Sequence, residues 1–527
     1  MALAALLFSS GLRAQTVLVK PYVQPGNGTT LQGADVKVIA WLTDQVPGDF
    51  AVEYAVAGGS VRTVVPGRVT LDFGPVKKAP KATPTPLAGA TPKPAATPGP
   101  TRNLLENAAV TLEDAIENAL TAAAPLLGER EQHYFKYAAV LPGLPWDSEV
   151  RYRVKLAGVV VREGKVRTRA SAGRGVRFAL VGDLANGQKE QKAIAWQLWR
   201  AQPEFLVALG DIVYSTGRVS QYLDHFWTTY NDVAVPGPKT GAPLMASVPF
   251  YPVIGNHDAD MAKLPGTPDA FGAYYFFHGP ESGPGLGPWS LPLGKDAAVA
   301  ARFRAAVGGS YPALNTYSFD YGPVHFLMLD TNSYNTASFM RLAPWVEKDL
   351  KASKQPWKII CMHAPAFHTS PQHYTEQKMR LLEPVFRAGG VDMVFAGHVH
   401  NYQRSKPFVF TPNPPTRDKR GRVNGEFVFD ETFDGLQQTV PRGIIHIVSG
   451  GGGATLYNAK DFDKTVADLI RDNPGNYVPL TAKYVADRHS FSLVEATPQE
   501  LVLRQISIDG EELDRVRITK PAAGAKP

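Results

Sequence analysis

The sequence predicts two domains: an N-terminal all-β sandwich, then a larger α/β domain with a layered β-sheet core flanked by helices. Three observations lead there. A length of 527 residues, 44% of them hydrophobic, is more than one small core uses. Between about Thr16 and Arg169 the chain carries short stretches of alternating pattern broken by Gly, Pro and Asp turns. From Gly175 onward the texture changes to long apolar runs that alternate with amphipathic stretches.

In chain order, residues 1–14 ("MALAALLFSSGLRA") form an apolar run ending in a small-residue cleavage pattern, which predicts an export signal and a secreted or periplasmic product. Residues 15–172 form the sandwich, with strands expected at "DVKVIAWLT", "DFAVEYAV", "HYFKYAAVLPGL", "EVRYRVKLAG" and "VVVREGKVRTR". Residues 74–103, rich in Pro, Ala, Thr and Lys, bury nothing and read as a disordered insertion. The following "NLLENAAVTLEDAIENALTAAAPLLG" spaces its leucines and alanines as an inserted helix. Residues 173–517 make up the α/β domain, with helices at "KEQKAIAWQLWRA", "APWVEKDLKAS" and "TEQKMRLLEPVFRAGG" and a terminal hairpin from "SFSLVEAT" and "ELVLRQISIDG". Residues 518–527 form a disordered tail.

The net charge of +7, spread over the whole length, is surface composition, because no dense Lys/Arg block flanked by stacking aromatics accompanies it. No nucleic-acid partner is expected. No apolar run after the signal is long enough to cross a bilayer, so no membrane association is expected either. The single cysteine, Cys361, excludes an intramolecular disulfide and any thiolate zinc site; it ends an apolar run and reads as a small buried hydrophobe.

The informative feature is what ends the apolar runs. "VRFALVGD" ends in Asp183, "EFLVALGD" in Asp211, "FYPVIGNHD" in Asn256 and His257, "WKIICMHAP" in His363, and "DMVFAGHVH" in His398 and His400. In open α/β sheets the ligand crevice lies beyond the carboxyl ends of the strands, so residues distant in sequence converge on one rim. The set is all oxygen and imidazole, and it is larger than one tetrahedral zinc ion uses. Two metal ions about 3.5 to 4 Å apart, sharing one carboxylate, would use it. On an extended backbone, His398 and His400 would point the same way as alternate residues of a strand.

In this order, "GDLANGQ", "GDIVY", "GNHD", "CMHAP" and "GHVHNYQR" resemble the calcineurin-like metallophosphoesterases. More narrowly they resemble the purple acid phosphatases, whose members often carry a fibronectin-III-like sandwich in front. The resemblance covers most of the chain apart from the Pro/Ala/Thr insertion and the tail. It implies Asp183, Asp211, Tyr214 and His400 as ligands of a first metal, with Asp211 bridging, and Asn256, His363 and His398 as completing the second. A tyrosinate from Tyr214 fits Fe(III), and the resemblance leaves Fe, Zn or Mn for the second position. It further places His257 over the phosphate as a catalytic donor and His373 near the leaving oxygen, with Asn256, His257 and His373 contacting substrate; His368 is the less favoured substitute for His373. Two departures stand out. Ala185 occupies the place of a family glycine, followed by Asn186 and Gly187, and Gln403 replaces a frequent glutamate.

The implied reaction is acid-phosphatase chemistry: a metal-bound hydroxide attacks phosphorus in line, and phosphate monoesters of small molecules are cleaved, best at acidic to neutral pH. A phosphodiesterase or nucleotidase of the same fold is the alternative within this chemistry, and an inert secreted binding protein the alternative of another class. Loops expected to wall the site include "DAFGAYYFFHGPESGPGLGPW", whose Tyr274, Tyr275, Phe276, Phe277 and Trp289 offer either a stacking surface or core packing. "SGGGGA" lacks the Gly-Lys-Ser/Thr of a phosphate loop and is assigned to close backbone packing.

Overall fold

The computed structural model describes residues 15–73, 133–260, 263, 264, 266–370, 372–413, 417–419, 421–457 and 479–520. The predicted signal, Pro/Ala/Thr insertion and inserted helix lie outside the described residues, as does most of the tail. Among the described residues, no helix is long and apolar enough to cross a membrane.

Two four-stranded antiparallel sheets form the sandwich. One runs Val17–Gln24, Asp35–Thr43, His133–Leu144, Gly67–Asp72; the other runs Arg62–Val64, Phe50–Val56, Glu149–Leu156, Val159–Arg167. Alternation along Glu149–Leu156 sends Val150, Tyr152 and Val154 inward and their neighbours to solvent. The core between the sheets centres on Trp41, stacked on Tyr137 at 5.4 Å and set edge-on to Phe50 at 4.9 Å.

The second domain packs a six-stranded sheet against a seven-stranded one. In the first, Val176–Val181, Phe205–Ala208 and Phe250–Pro252 run parallel. In the second, Val324–Leu329, Trp357–Met362, Met393–Ala396 and Ile445–Ser449 run parallel. Nearly every residue of these strands is buried, as strands covered on both faces must be. Phe178 and Phe326 meet edge to face at 5.0 Å and tie the two sheets together.

The expected C-terminal hairpin forms between Ser490–Ala496 and Glu500–Ser507; it lies antiparallel against Val176–Val181, and Glu512–Thr519 extends the same sheet. One element departs from expectation. The helix expected over "TEQKMRLLEPVFRAGG" is shorter, a 3-10 turn Lys378–Leu382 followed by Glu383–Ala388, because Pro384 lacks the donor that would continue the first turn into the second. Helices Lys189–Ala201 and Ala343–Ala352 occupy the stretches assigned to them.

The domains meet along a buried polar seam. Arg169 donates from Nε to Asp35 and from Nη1 to the carbonyls of Thr29 and Asp320, and Tyr22 Oη donates to the Phe276 carbonyl.

Candidate metal centre

The parallel strands of the two sheets end at a common rim, where the predicted residues gather. Asp183 and Asp211 each follow a strand and a glycine, His363 follows Trp357–Met362, and His398 and His400 follow Met393–Ala396. Asp183, Asp211 and His398 all take left-handed backbone conformations, with φ of 61°, 48° and 66°. This turn redirects the chain at each strand end, and Asp and His tolerate it better than most side chains. The extended geometry expected for His398 and His400 is therefore incorrect: both lie in a bend beyond the strand, with the kink at His398.

The two histidines meet different groups. His400 Nε2 lies 3.1 Å from Tyr214 Oη and 3.2 Å from Asp183 Oδ1, and Tyr214 Oη lies 2.9 Å from the same Asp183 oxygen. His398 joins Asp211 and His363, the ligand atoms of the three lying within 4.8 Å of one another. Asn256 Oδ1 sits 3.0 Å from His363 Nε2 and completes this second group. Asp211 Oδ2 belongs to both, 3.2 Å from Tyr214 Oη and 3.1 Å from His363 Nε2.

Backbone contacts orient the ligands. His363 Nδ1 lies 2.8 Å from the Leu209 carbonyl and His400 Nδ1 2.7 Å from the Thr455 carbonyl, which leaves each Nε2 directed into the centre. The His398 N–H donates to Asp183 Oδ2 and the His257 N–H to Asp211 Oδ1. Gly255 must be glycine, because a Cβ there would fall 2.1 Å from Asp211 Oδ1. The "SGGGGA" turn is close backbone packing as expected: a Cβ at Gly452 would sit 2.3 Å from the Gly182 carbonyl.

Burial alone would raise the Asp211 carboxyl, but the imidazoles of His363 and His257 outweigh it and hold it well below the usual carboxylate range. His363 moves the opposite way, its burial overcome by Asp211, and His400 is likewise raised against its burial by Asp183. Among the described residues, no lysine or arginine pairs with Asp183 or Asp211. A buried carboxylate cluster of this kind calls for positive charge from elsewhere, and its oxygen, phenol and imidazole donors suit a pair of first-row metal ions.

His257 and His373 pack against different members of the cluster. The His257 ring packs 4.5 Å from Tyr214, with Nδ1 2.6 Å from the Ser215 carbonyl. The His373 ring lies 3.9 Å from that of His398. His368 is buried, and desolvation together with nearby Arg380 pushes it down to about 3, so it is a poor proton carrier.

Sequence reasoning missed three residues. Glu376 reaches both His373 Nδ1, at 2.9 Å, and His398 Nε2, at 3.3 Å; its only signal was spacing three residues after His373. Asp258 of "GNHD" accepts from the N–H groups of Ile212 and Gly255 and is raised to about 7 by burial and then by Asp211. Tyr457 stacks on His400 at 4.1 Å. Conversely, Tyr274, Tyr275, Phe276 and Phe277 are buried core residues, not a wall of the site. Both sequence departures are accommodated. Ala185 bridges to Val213, and Gln403 accepts from the backbone and hydroxyl of Thr369.

Fold and rim together define a metallophosphoesterase-type domain, and residues 176–402 match the calcineurin-like phosphoesterase family model. The chain is similar in sequence to purple acid phosphatases. It is 26% identical over 286 residues to purple acid phosphatase 18 of Arabidopsis thaliana, covering 53% of this chain and 50% of that one. With purple acid phosphatase 21 of the same plant it shares 43% identity over 97 residues, 17% of this chain and 22% of that protein. It is 25% identical over 288 residues to a probable inactive purple acid phosphatase 27 of Arabidopsis thaliana, covering 52% of this chain and 38% of that one. The chain thus spans half or less of the length of these relatives. A purple acid phosphatase structure from yellow lupin (Lupinus luteus) seeds superposes with a TM-score of 0.56 at 16% identity, covering 95% of this chain and 74% of that one, a likeness of fold.

Proposed function

We propose that this protein is a secreted binuclear metal hydrolase that cleaves phosphate monoesters of small molecules. The observation that carries the reading is the position of Asp211 Oδ2, shared between the Tyr214 group and the His363 group. Asp183, Asp211, Tyr214 and His400 would hold one ion, and Asp211, Asn256, His363 and His398 the other, with Fe(III) at the tyrosine site and Fe, Zn or Mn beside it. Two such ions lower the pKa of a water and polarise phosphoryl oxygens.

The chain's own residues do the rest. His257, fixed through Nδ1 by the Ser215 carbonyl, presents its other nitrogen to a phosphoryl oxygen. His373, with Nδ1 engaged by Glu376, offers its Nε2 to the leaving oxygen. Several relatives are probable inactive purple acid phosphatases, so an inert protein is the natural rival. Loss of activity by decay removes ligands, whereas all seven proposed ligands are present in this sequence.

Metal analysis and a visible spectrum of the purified protein, with hydrolysis of an aryl phosphate and its diester analogue, test the proposal. We expect two ions per chain, a violet band lost in Tyr214→Phe, and faster cleavage of the monoester. Protein that bound two ions yet hydrolysed neither ester would refute it.

A further inference from the structure

We propose that Arg422 is a positioning residue that fixes the segment 372–378 and thereby holds His373 at the leaving-group side of the centre. The inference rests on the reading of His373 given above. Arg422 lies between the strand Phe408–Pro412 and its antiparallel partner Gly425–Phe429. Its Nη2 donates to Tyr374 Oη at 3.2 Å, and its guanidinium lies over the Tyr374 ring, 5.0 Å from the centroid. The next residue repeats the contact through the backbone: the Val423 N–H donates to Gln377 Oε1 at 3.0 Å, and Gln377 Nε2 donates to the Tyr374 carbonyl at 2.5 Å. At Gly421 the two chains run so close that a Cβ would lie 2.6 Å from the Thr375 carbonyl.

The other end of the segment is anchored independently. Buried Lys378 donates from Nζ to the Asn332 carbonyl at 2.6 Å and to Asn335 Oδ1 at 2.7 Å. Immediately before the first anchor, His373 adopts a φ of 59°. A left-handed backbone at a non-glycine residue is strained and persists only where its surroundings enforce it. The His373 ring rests on His398 and its Nδ1 meets Glu376 of the same segment, while the backbone beside it is tied down through Tyr374 and Gln377. Arg422, joined to the residue next to His373 by both a hydrogen bond and ring stacking, is the contact best placed to set where that imidazole sits. Because a displacement of about 1 Å in a reacting group can cost about 100-fold in rate, such a contact matters to chemistry without touching substrate.

The test uses the metal-loaded full chain and the ratio of kcat/KM for an alkyl phosphate, a poor leaving group, to that for nitrophenyl phosphate, which departs without a proton donor. His373→Ala should lower this ratio by about 100-fold, within the usual range for general acid catalysis. Arg422→Ala should lower it by about 10-fold with metal content unchanged, and the double variant should fall no further than His373→Ala alone. Arg422→Lys, which keeps a cationic donor for Tyr374, should recover most of the ratio. Tyr374→Phe, which removes only the phenol contact, should shift the ratio in the same direction if Arg422→Ala does not fold. Equal losses on both substrates in Arg422→Ala, or in Tyr374→Phe where that variant stands in, overturn the proposal, as does an additive double variant. A leaving-group effect in His373→Ala that is absent from Arg422→Ala overturns this inference alone. No leaving-group effect in His373→Ala overturns the reading of His373 and this inference with it.

Discussion

Two buried clusters of charged residues, built from similar side chains, behave oppositely. At the seam between the domains, Asp35 accepts from Lys37 Nζ, from the Arg169 N–H at 2.8 Å and from Arg169 Nε at 2.9 Å, and the remaining Arg169 donors reach carbonyls. The one carboxylate there is met by two cations of the same chain. At the rim, Asp183, Asp211, Tyr214 and four other donors crowd one space with only imidazoles for counter-charge. Burying a carboxylate is tolerable when cations and hydrogen bonds surround it and costly when they do not. The first arrangement therefore describes a structural clasp, and the second a place that an added cation would stabilise.

The sharpest way to break this contrast is to remove one carboxylate from each cluster. Asp211→Ala takes away the oxygen common to both metal groups, and we expect loss of both ions and a fall in kcat/KM of about 1000-fold or more. His398→Ala and His400→Ala should each weaken a different ion, as read by metal analysis, because the two side chains serve different groups. Equal loss of both ions in each variant would erase that division.

Asp35→Ala should do the reverse. It strands Lys37 and Arg169 as unpaired buried cations, for which about 3–5 kcal/mol of stability is expected to be lost. Denaturant unfolding would show the loss, while metal content and turnover of the folded protein stay near the wild-type values. A variant that lost metal as readily as stability would mean that the seam and the rim are not independent.

These clusters also differ in how far the sequence revealed them. The rim was legible because strand, glycine and ligand are contiguous in "ALVGD", "VALGD" and "VIGNH", so a local pattern carries the chemistry. The sandwich strands were legible for the same reason: Asp35–Thr43 and His133–Leu144 coincide with the runs singled out by alternation and turns. The seam was not, because Arg169 and Asp35 lie 134 residues apart and nothing local marks either as buried. Glu376 was hidden differently, since an acid in a polar stretch looks solvated until the fold brings His398 beside it. The backbone at His398 escaped because a left-handed kink in a histidine has no residue signature, whereas glycine would have suggested one.

A third buried group gives the mildest and most graded comparison. His325 is held between Asp320 Oδ1, 2.7 Å from its Nδ1, and Asp349 Oδ2, 2.9 Å from its Nε2; Ser318 Oγ and Gln355 Nε2 donate to the outer oxygens of these carboxylates. Burial by itself would depress the imidazole, but the two carboxylates prevail and raise it to about 9. The folded state thus binds this proton more tightly than an unfolded chain, whose histidine titrates near 6.5. Its stabilising contribution is complete below about pH 6.5 and is lost as pH rises through about 9, amounting to about 3 kcal/mol at most. His325→Gln should be less stable than wild type at pH 6 and should flatten the decline in stability between pH 6.5 and 9, measured by urea unfolding on metal-loaded protein. Asp320 also donates its N–H to the Thr29 carbonyl, so the clamp lies against the sandwich and away from the ligand strands' ends. If the decline persisted unchanged in His325→Gln, the pH dependence would have to arise at the rim, and the division between self-neutralised and cation-requiring clusters would lose its clearest control.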